Sequence, residues 1–483
     1  MRTWNDLEPG RVFFYFAEIC KIPHGSHHLK EISNYLADFA ASHHLAYIQD
    51  GAGNLIISKE ASEGYGSEKG IILQGHIDMV AVHKPELQIN METDPVRPVI
   101  DGDVIRAEGT SLGGDDGIAV AYALAILEDD TILHPYLEVI LTTDEEVGMD
   151  GARVIDLSSL KGSRMLNLDT EEEGHFLIGC AGGARVDHIF QADRVFTEGI
   201  AVLCKITGLT GGHSGTEIQK GRANSNVLTG RLLRVLQASI KPAVFALDGG
   251  LADNAIPRET QISFLVSEQE QEKTEQTIRK FEKMIQSEYQ TKDPEIQIET
   301  IYQGFMQQEC VDQKTLQKLT DALIAMPDGV QVMSAEIPGL VQTSLNNGVL
   351  KIDEKRCFFV TSIRSSVKSQ KEALIEKAVT ITRLAGGITK IRGDYPGWEY
   401  RQNSPFRELC LKIYREMYKK EPIVEAIHAG VECGILIEKR SELDCVSIGP
   451  DMESIHTTEE KLSIASVQRV WEYILRVLSA KEE

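Results

Sequence analysis

No stretch of this 483-residue sequence is long or apolar enough to span a bilayer. Residues 1–10 carry no apolar core of the signal-peptide kind and run at once into amphipathic helical sequence, which reads as a cytoplasmic start. The eight cysteines are scattered without a CxxC pair, so they fit reduced thiols and offer neither a disulfide framework nor cysteine ligation of a metal. Basic charge is also scarce. Lys and Arg total 50 against 73 Asp and Glu, a net charge of −23 that repels phosphate backbones and anionic lipid, so nucleic acid and membrane surfaces are poor partners. What is there is ordinary for a globular protein, 42% hydrophobic and 25% charged, and the length suits two domains, each able to bury its own core.

Apolar residues recur at helical spacing from 12 to 20 and from 29 to 41, with the turn Pro23-His24-Gly25-Ser26 between them. His24, His27, His28, His43 and His44 lie in that turn and at a helix end without a carboxylate at ligand spacing, so they read as surface histidines. Strand-like runs follow at Asn54-Leu55-Ile56-Ile57 and from Gly70 to Gly75, an α/β beginning. The second ends in Gly75-His76-Ile77-Asp78. This places His76 at a strand's carboxyl end, where parallel sheets bind ligands. Asp78 shares its face in an extended segment and can turn to the ring and fix its tautomer. Alone, the tripeptide reads equally well as a solvated strand end.

Thr110-Ser111-Leu112-Gly113-Gly114-Asp115-Asp116-Gly117 is a loop opening an alanine-rich helix from 118 to 128, with Ile118, Tyr122, Ala125 and Ile126 on one side. Two carboxylates and no Lys there argue against a phosphate and suit a cation, the plain alternative being Asp115 or Asp116 as an N-cap. The run from 137 to 141 ends in Thr142-Thr143-Asp144-Glu145-Glu146-Val147-Gly148. Adjacent glutamates point different ways, so one can ligate a metal while the other reaches a water. Met165-Leu166-Asn167-Leu168 delivers Asp169 and an acidic loop. Cys445-Val446-Ser447-Ile448 is followed by a loop with His456 and a closing helix around 467 to 478. Four strand-like runs, each followed by His, Asp or Glu at one end of a parallel sheet, are hard to explain as solvated edges. They point to a metal site of nitrogen and oxygen ligands, suited to zinc, cobalt or manganese, with two ions sharing a carboxylate.

These residues resemble a known family, the co-catalytic di-zinc peptidases that include carboxypeptidase G, peptidase T and the aminoacyl-histidine (Xaa-His) or cytosol nonspecific dipeptidases. The last subgroup is the most similar. The likeness runs through Ile19-Cys20-Lys21-Ile22-Pro23, Gly75 to Val80, Leu112 to Gly117, Asp144 to Gly148, Gly211-Gly212-His213-Ser214-Gly215, Tyr395-Pro396-Gly397-Trp398 and Ile427 to Gly434. It implies two divalent metal ions, zinc first with cobalt or manganese as alternatives. His76 and Asp169 would hold one, Glu146 and His456 the other, and Asp115 would bridge them through a cis peptide to Asp116. Glu145 would be the general base and Asp78 the orienter of His76. Relatives commonly have Ser-Pro after the last histidine, whereas this chain reads His456-Thr457-Thr458.

The same resemblance implies an α/β fold in which a catalytic domain, residues 1–184 and 396–483, has a mixed, mostly parallel sheet with helices on both faces. An inserted α+β lid of dimerisation type, residues 185–395, interrupts it. In the lid, His213 would hydrogen-bond the carbonyl oxygen as it becomes an oxyanion. Asn254 and Arg364 would contact substrate, Arg364 clamping a free carboxylate, with Gly430 lining the same pocket. The expected activity is hydrolysis of small unblocked peptides, Xaa-His dipeptides among them. A homodimer is open, and with it whether His213 serves its own chain or a partner's. The rivals are an N-acyl amino-acid amidohydrolase with the same metal centre and a non-catalytic metal-binding protein, against which Glu145 beside a full ligand set weighs.

Overall fold

A computed structural model describes residues 3–481, which divide into two compact units. One comprises the chain up to Gly179, Tyr400–Ala426 and the chain from Glu432 on; the other comprises Cys180–Glu399 and Ile427–Val431.

The first unit is built on an eight-stranded sheet in the order Ala46–Gln49, Leu55–Lys59, Leu137–Thr142, Ile71–His76, Arg164–Asn167, Asp444–Ser447, His175–Cys180 and Ile423–Ile427. It is mixed. Its four central strands run parallel, and the flanking Leu55–Lys59 and His175–Cys180 pair antiparallel to them. Leu137–Thr142, Ile71–His76 and Arg164–Asn167 are buried at every position, as β-branched and apolar runs in a sheet covered on both faces must be. Register sets His76 level with Thr142, and Gln74 level with both Ile140 and Asn167. Three strands therefore finish together, and the residues that follow them emerge on one edge.

The helix Gly114–Glu128 departs from the one-sided pattern expected of it: every residue from Gly114 to Leu127 is buried. A run of Ala, Ile, Leu and Val with one Tyr and without a charge from 118 to 127 allows this, since no face prefers water. The closing helix Ile464–Leu478 is amphipathic, burying Val467, Val470, Ile474, Val477 and Leu478, each apolar side chain contributing about 1.5–3 kcal/mol.

The second unit is a nine-stranded sheet. Eight strands run in the order Gln297–Val311, Arg194–Thr207, Thr260–Val266, Ala243–Gly249, Val341–Ile352, Arg356–Ser365, Gly182–Gln191 and Ile388–Tyr395, with Gly329–Met333 also paired to Val341–Ile352. The helices Ser225–Ser239, Gln271–Tyr289, Gln313–Ala325 and Lys368–Leu384 share a core with it that includes Leu232, Phe264, Phe281, Leu319 and Phe359. Two of these helices start where Asn224 and Asp312 accept first-turn N–H groups. Ile427–Val431 joins this unit through Ala181, whose N–H lies 3.1 Å from the Ile427 carbonyl and 3.0 Å from that of Ala429. Among the described residues, no helix is long and apolar enough to cross a membrane, and all eight cysteines are free and buried.

Candidate metal centre

His76, 1% exposed, ends its strand among carboxylates. Its Nε2 lies 3.2 Å from Asp115 Oδ1 and 3.5 Å from Asp169 Oδ1, while Nδ1 lies 2.9 Å from the Asp78 carbonyl oxygen and 3.5 Å from Asp78 Oδ1. The nearer group holding Nδ1 is thus the backbone of Asp78, so the ring donates there and aims Nε2 at the two carboxylates. The Asp78 carboxylate has a further task that its spacing did not reveal. It accepts the backbone N–H of Glu145 at 3.0 Å and of Glu146 at 3.2 Å, and the Ser26 hydroxyl at 2.8 Å, pinning the turn that carries both glutamates.

Asp115 is held from outside its own segment. The buried Glu460 carboxylate accepts the N–H groups of Leu112 at 2.7 Å, Gly113 at 3.1 Å, Gly114 at 2.8 Å and Asp115 at 3.4 Å. Gly113 has φ +72°, and a Cβ there would come within 2.8 Å of Met79 Sδ, so any other residue would be strained and would push the Met79 side chain aside. The Asp115-Asp116 peptide is cis, and neither side chain caps the helix. Asp115 Oδ1 faces His76, while Oδ2 lies 3.1 Å from His456 Nε2. Glu146 Oε1 approaches the same nitrogen at 2.8 Å. Asp116 Oδ2 accepts the His76 N–H at 3.2 Å, and its fully buried Oδ1 has no partner.

Three sets of candidate ligand atoms lie within 4.8 Å of one another: His76, Asp116 and Asp169; His76, Glu145 and Glu146; Asp115, Glu146 and His456. All seven residues expected at the centre, His76, Asp78, Asp115, Glu145, Glu146, Asp169 and His456, meet at this edge. Asp116 adds an eighth group, and Glu460 was missed because nothing near it in the sequence points to the loop it holds.

The electrostatics ask for positive charge. Burial alone would depress His76, but Asp115, Asp169 and Asp78 outweigh it and raise its pKa well above the ordinary value. Asp115 and Glu146 push His456 up to about 10. Burial, only partly offset by His76, lifts Asp169 to about 6 and Glu145 well above the usual carboxylate range. Asp115 moves the other way, held low by His456 and His76 against its burial. Imidazole nitrogens facing carboxylate oxygens, with the buried Asp116 Oδ1 and Glu146 Oε1 accepting no hydrogen bond, form a donor set that fits a divalent cation of nitrogen and oxygen preference.

The histidine reading needs one correction. His24 is 2% exposed, with Nδ1 2.6 Å from the Ile22 carbonyl and a buried, unpartnered Nε2. The turn that carries it folds inward, where the Met79 N–H bonds the His24 carbonyl.

The other four expected residues lie in the second unit. His213 Nδ1 accepts the N–H of Gly215 at 3.2 Å and of Thr216 at 3.3 Å, which leaves the proton on Nε2 as a free donor. Burial and the charge of Arg364 lower its pKa and keep the ring neutral. Arg364 donates to the Tyr395 hydroxyl at 3.2 Å, its buried Nε has no partner, and no carboxylate pairs with it among the described residues. The Asn254 carbonyl accepts the Ser214 N–H at 2.8 Å, beside His213. Gly430 lies in the returning segment next to Ala429, and two residues before it the buried His428 holds the Ser344 hydroxyl at 2.7 Å through Nε2.

The model of peptidase family M20/M25/M40 matches residues 72–480. A cytosol non-specific dipeptidase of Escherichia coli (strain K12) is 33% identical over 480 residues, 99% of each chain. The crystal structure of an aminoacylhistidine dipeptidase from Vibrio alginolyticus is similar with a TM-score of 0.91 and 34% identity, covering 100% of this chain and 99% of that one. An aminopeptidase from Bacillus cereus ATCC 10987, PepT, shares the fold at a TM-score of 0.56 and 16% identity over 98% of both chains.

Proposed function

The chain belongs to peptidase family M20/M25/M40, and from that premise we propose that it is a metal-dependent dipeptidase acting on small unblocked peptides, Xaa-His dipeptides among them. The observation that carries the reading is Asp115, whose two oxygens face two histidines 3.2 and 3.1 Å away, with Glu145 beside them. In this reading His76 and Asp169 would hold one ion, Glu146 and His456 would hold the other, and Asp115 would serve both. The ions are zinc by preference, with cobalt or manganese as alternatives, and when bound they supply a polarised carbonyl and a more acidic water.

The remaining work falls to the chain's own residues. Glu145, its affinity for protons raised by burial, takes the proton of the attacking water and returns it to the leaving amine. Asp78 fixes both His76 and the Glu145-Glu146 turn. His213 donates from Nε2 to the oxygen that gains negative charge, and Arg364, which has no carboxylate partner among the described residues, takes the substrate carboxylate, with Asn254 and Gly430 completing the contacts. The expected catalytic domain, residues 1–184 and 396–483, then corresponds to the first unit and the expected lid, 185–395, to the second, except that 180–184, 396–399 and Ile427–Val431 fall in the second unit. The free thiols and the likeness to a cytosolic enzyme support a cytoplasmic location.

The test is a panel of free, N-acetylated and amidated dipeptides, assayed after chelation and after zinc, cobalt or manganese is restored. Cleavage of free dipeptides alone, lost on chelation and regained with metal, is expected. Preference for the N-acetylated forms, or activity indifferent to chelation, contradicts the assignment.

A further inference from the structure

Beneath the ligand-bearing edge, one buried carboxylate with no role so far joins the strands to one another. Glu432, 1% exposed, precedes the helix Cys433–Lys439. Its Oε2 accepts the Gln74 amide at 2.7 Å and the Thr142 hydroxyl at 2.5 Å, and Gln74 Oε1 accepts the Asn167 amide at 2.5 Å. These three partners occupy three adjacent strands. Gln74 lies two residues before His76, Asn167 two before Asp169, and Thr142 four before Glu146, so each sits on the stretch that delivers a ligand.

We propose that Glu432 is a positioning residue for the metal centre: a single oxygen sets the spacing between the strand ends carrying His76 and Asp169 and the strand end carrying Glu146, and with it the spacing of the two ion sites. The proposal rests on the ligand assignment above. The link is carried by Oε2, since Glu432 Oε1 has no partner, and neither has Asn167 Oδ1. An amide at position 432 would therefore keep the acceptor and place its nitrogen where no donor is now offered. Charge is the dispensable property, as burial lifts this carboxyl to about 7. Loss of a group that orients ligands characteristically weakens metal binding by about 10–100-fold.

The experiment titrates chelated protein with Mn²⁺, following uptake and the magnetic coupling of the bound pair by electron paramagnetic resonance. The wild-type chain, Glu432→Gln, Glu432→Leu and Thr142→Val are compared, with circular dichroism confirming the fold of each. Wild type and Glu432→Gln are expected to bind two ions with affinities within about 3-fold and the same coupling. Glu432→Leu binds both about 10–100-fold more weakly with altered coupling. Should Glu432→Leu not fold, Thr142→Val, which removes the short bond to Glu432 together with the longer contacts of the same hydroxyl to the Gly75 carbonyl at 3.3 Å and the Gln74 amide at 3.4 Å, carries the test through a changed coupling. Wild-type binding and coupling in the folded Leu variant, or in the Val variant standing in for it, overturns the proposal. So does a loss in Glu432→Gln equal to that in Glu432→Leu. A wild-type chain that takes up fewer than two ions overturns the ligand assignment and this proposal together, whereas two ions with an indifferent Leu variant overturn this proposal alone.

Discussion

The two units use the same side chain in opposite electrical settings. In the first, His76 and His456 stand among carboxylates that raise their pKa values, His456 to about 10. In the second, burial lowers His188 and His428 to about 3, with Arg364 adding to the effect on His428, and burial with Arg364 lowers His213. One unit has gathered negative charge that calls for cations. The other keeps its rings neutral, two of them, His213 and His428, within the field of a guanidinium with no carboxylate of its own, which calls for an anion. An imidazole's role follows from its neighbours, and from sequence those neighbours are visible only when a motif brings them along.

The largest expected effect breaks the first setting at its shared member. Asp115→Ala leaves His76 and His456 without their common carboxylate, so metal content and turnover fall together to background, checked by elemental analysis beside a dipeptide assay. Full occupancy with normal turnover would remove Asp115 from the bridge. Next is Arg364→Ala, which takes away the unpaired cation of the second setting. It is expected to reduce kcat/KM for free dipeptides by about 2–5 kcal/mol while metal content stays unchanged. Equal cleavage of free and amidated dipeptides by the wild type would contradict the clamp.

A smaller effect separates the settings by pH. His188 is fully buried, its nitrogens 2.6 and 3.0 Å from the Thr382 and Thr361 hydroxyls, and its pKa falls from 6.5 to about 3. Below pH ~6.5 the unfolded chain binds a proton that the folded one refuses. The His188 contribution to the stability of the second unit therefore falls as pH drops from 6.5 towards 3, with a slope approaching one proton, and His428, lowered to about 3 as well, adds its own. His456 in metal-free protein behaves oppositely: its contribution is full below about 6.5 and is lost as pH rises through about 10. Hydrogen exchange of the strand Gly182–Gln191 across this range reports the His188 component. His188→Gln should flatten the acid slope at a cost of about 1–2 kcal/mol for imperfect replacement of two hydrogen bonds. An unchanged slope would assign the acid sensitivity elsewhere.

Much of the first unit was legible because its signals are local. β-branched runs ending in His76, Glu145-Glu146 and Asp169 mark strands and their ends without knowledge of the partners. What could not be read is what reaches across the chain. Glu460 grips the Asp115 loop from 345 residues away, and Glu432 bonds Gln74 across 358. His24 looked exposed because a Pro-Gly turn normally is, yet this one folds inward against Met79. The helix Gly114–Glu128 carried its signal openly: ten successive uncharged residues mark burial on all sides, which attention to a single apolar face concealed. The second unit offered motifs around His213 and Arg364, but its sheet order follows from pairings that no short stretch contains.

The division of labour between two adjacent glutamates is the central claim, and metal stoichiometry measured together with kcat for Glu145→Gln and Glu146→Gln tests it most directly. Glu145→Gln keeps its shape and loses its proton acceptor, so both ions should remain while kcat falls by about 10²–10⁴. Glu146→Gln weakens a ligand that faces His456 at 2.8 Å, so one ion should be lost and excess metal should restore part of the rate. Loss of metal in Glu145→Gln with full occupancy in Glu146→Gln would reverse the two roles, and undiminished turnover in both would place the chemistry elsewhere.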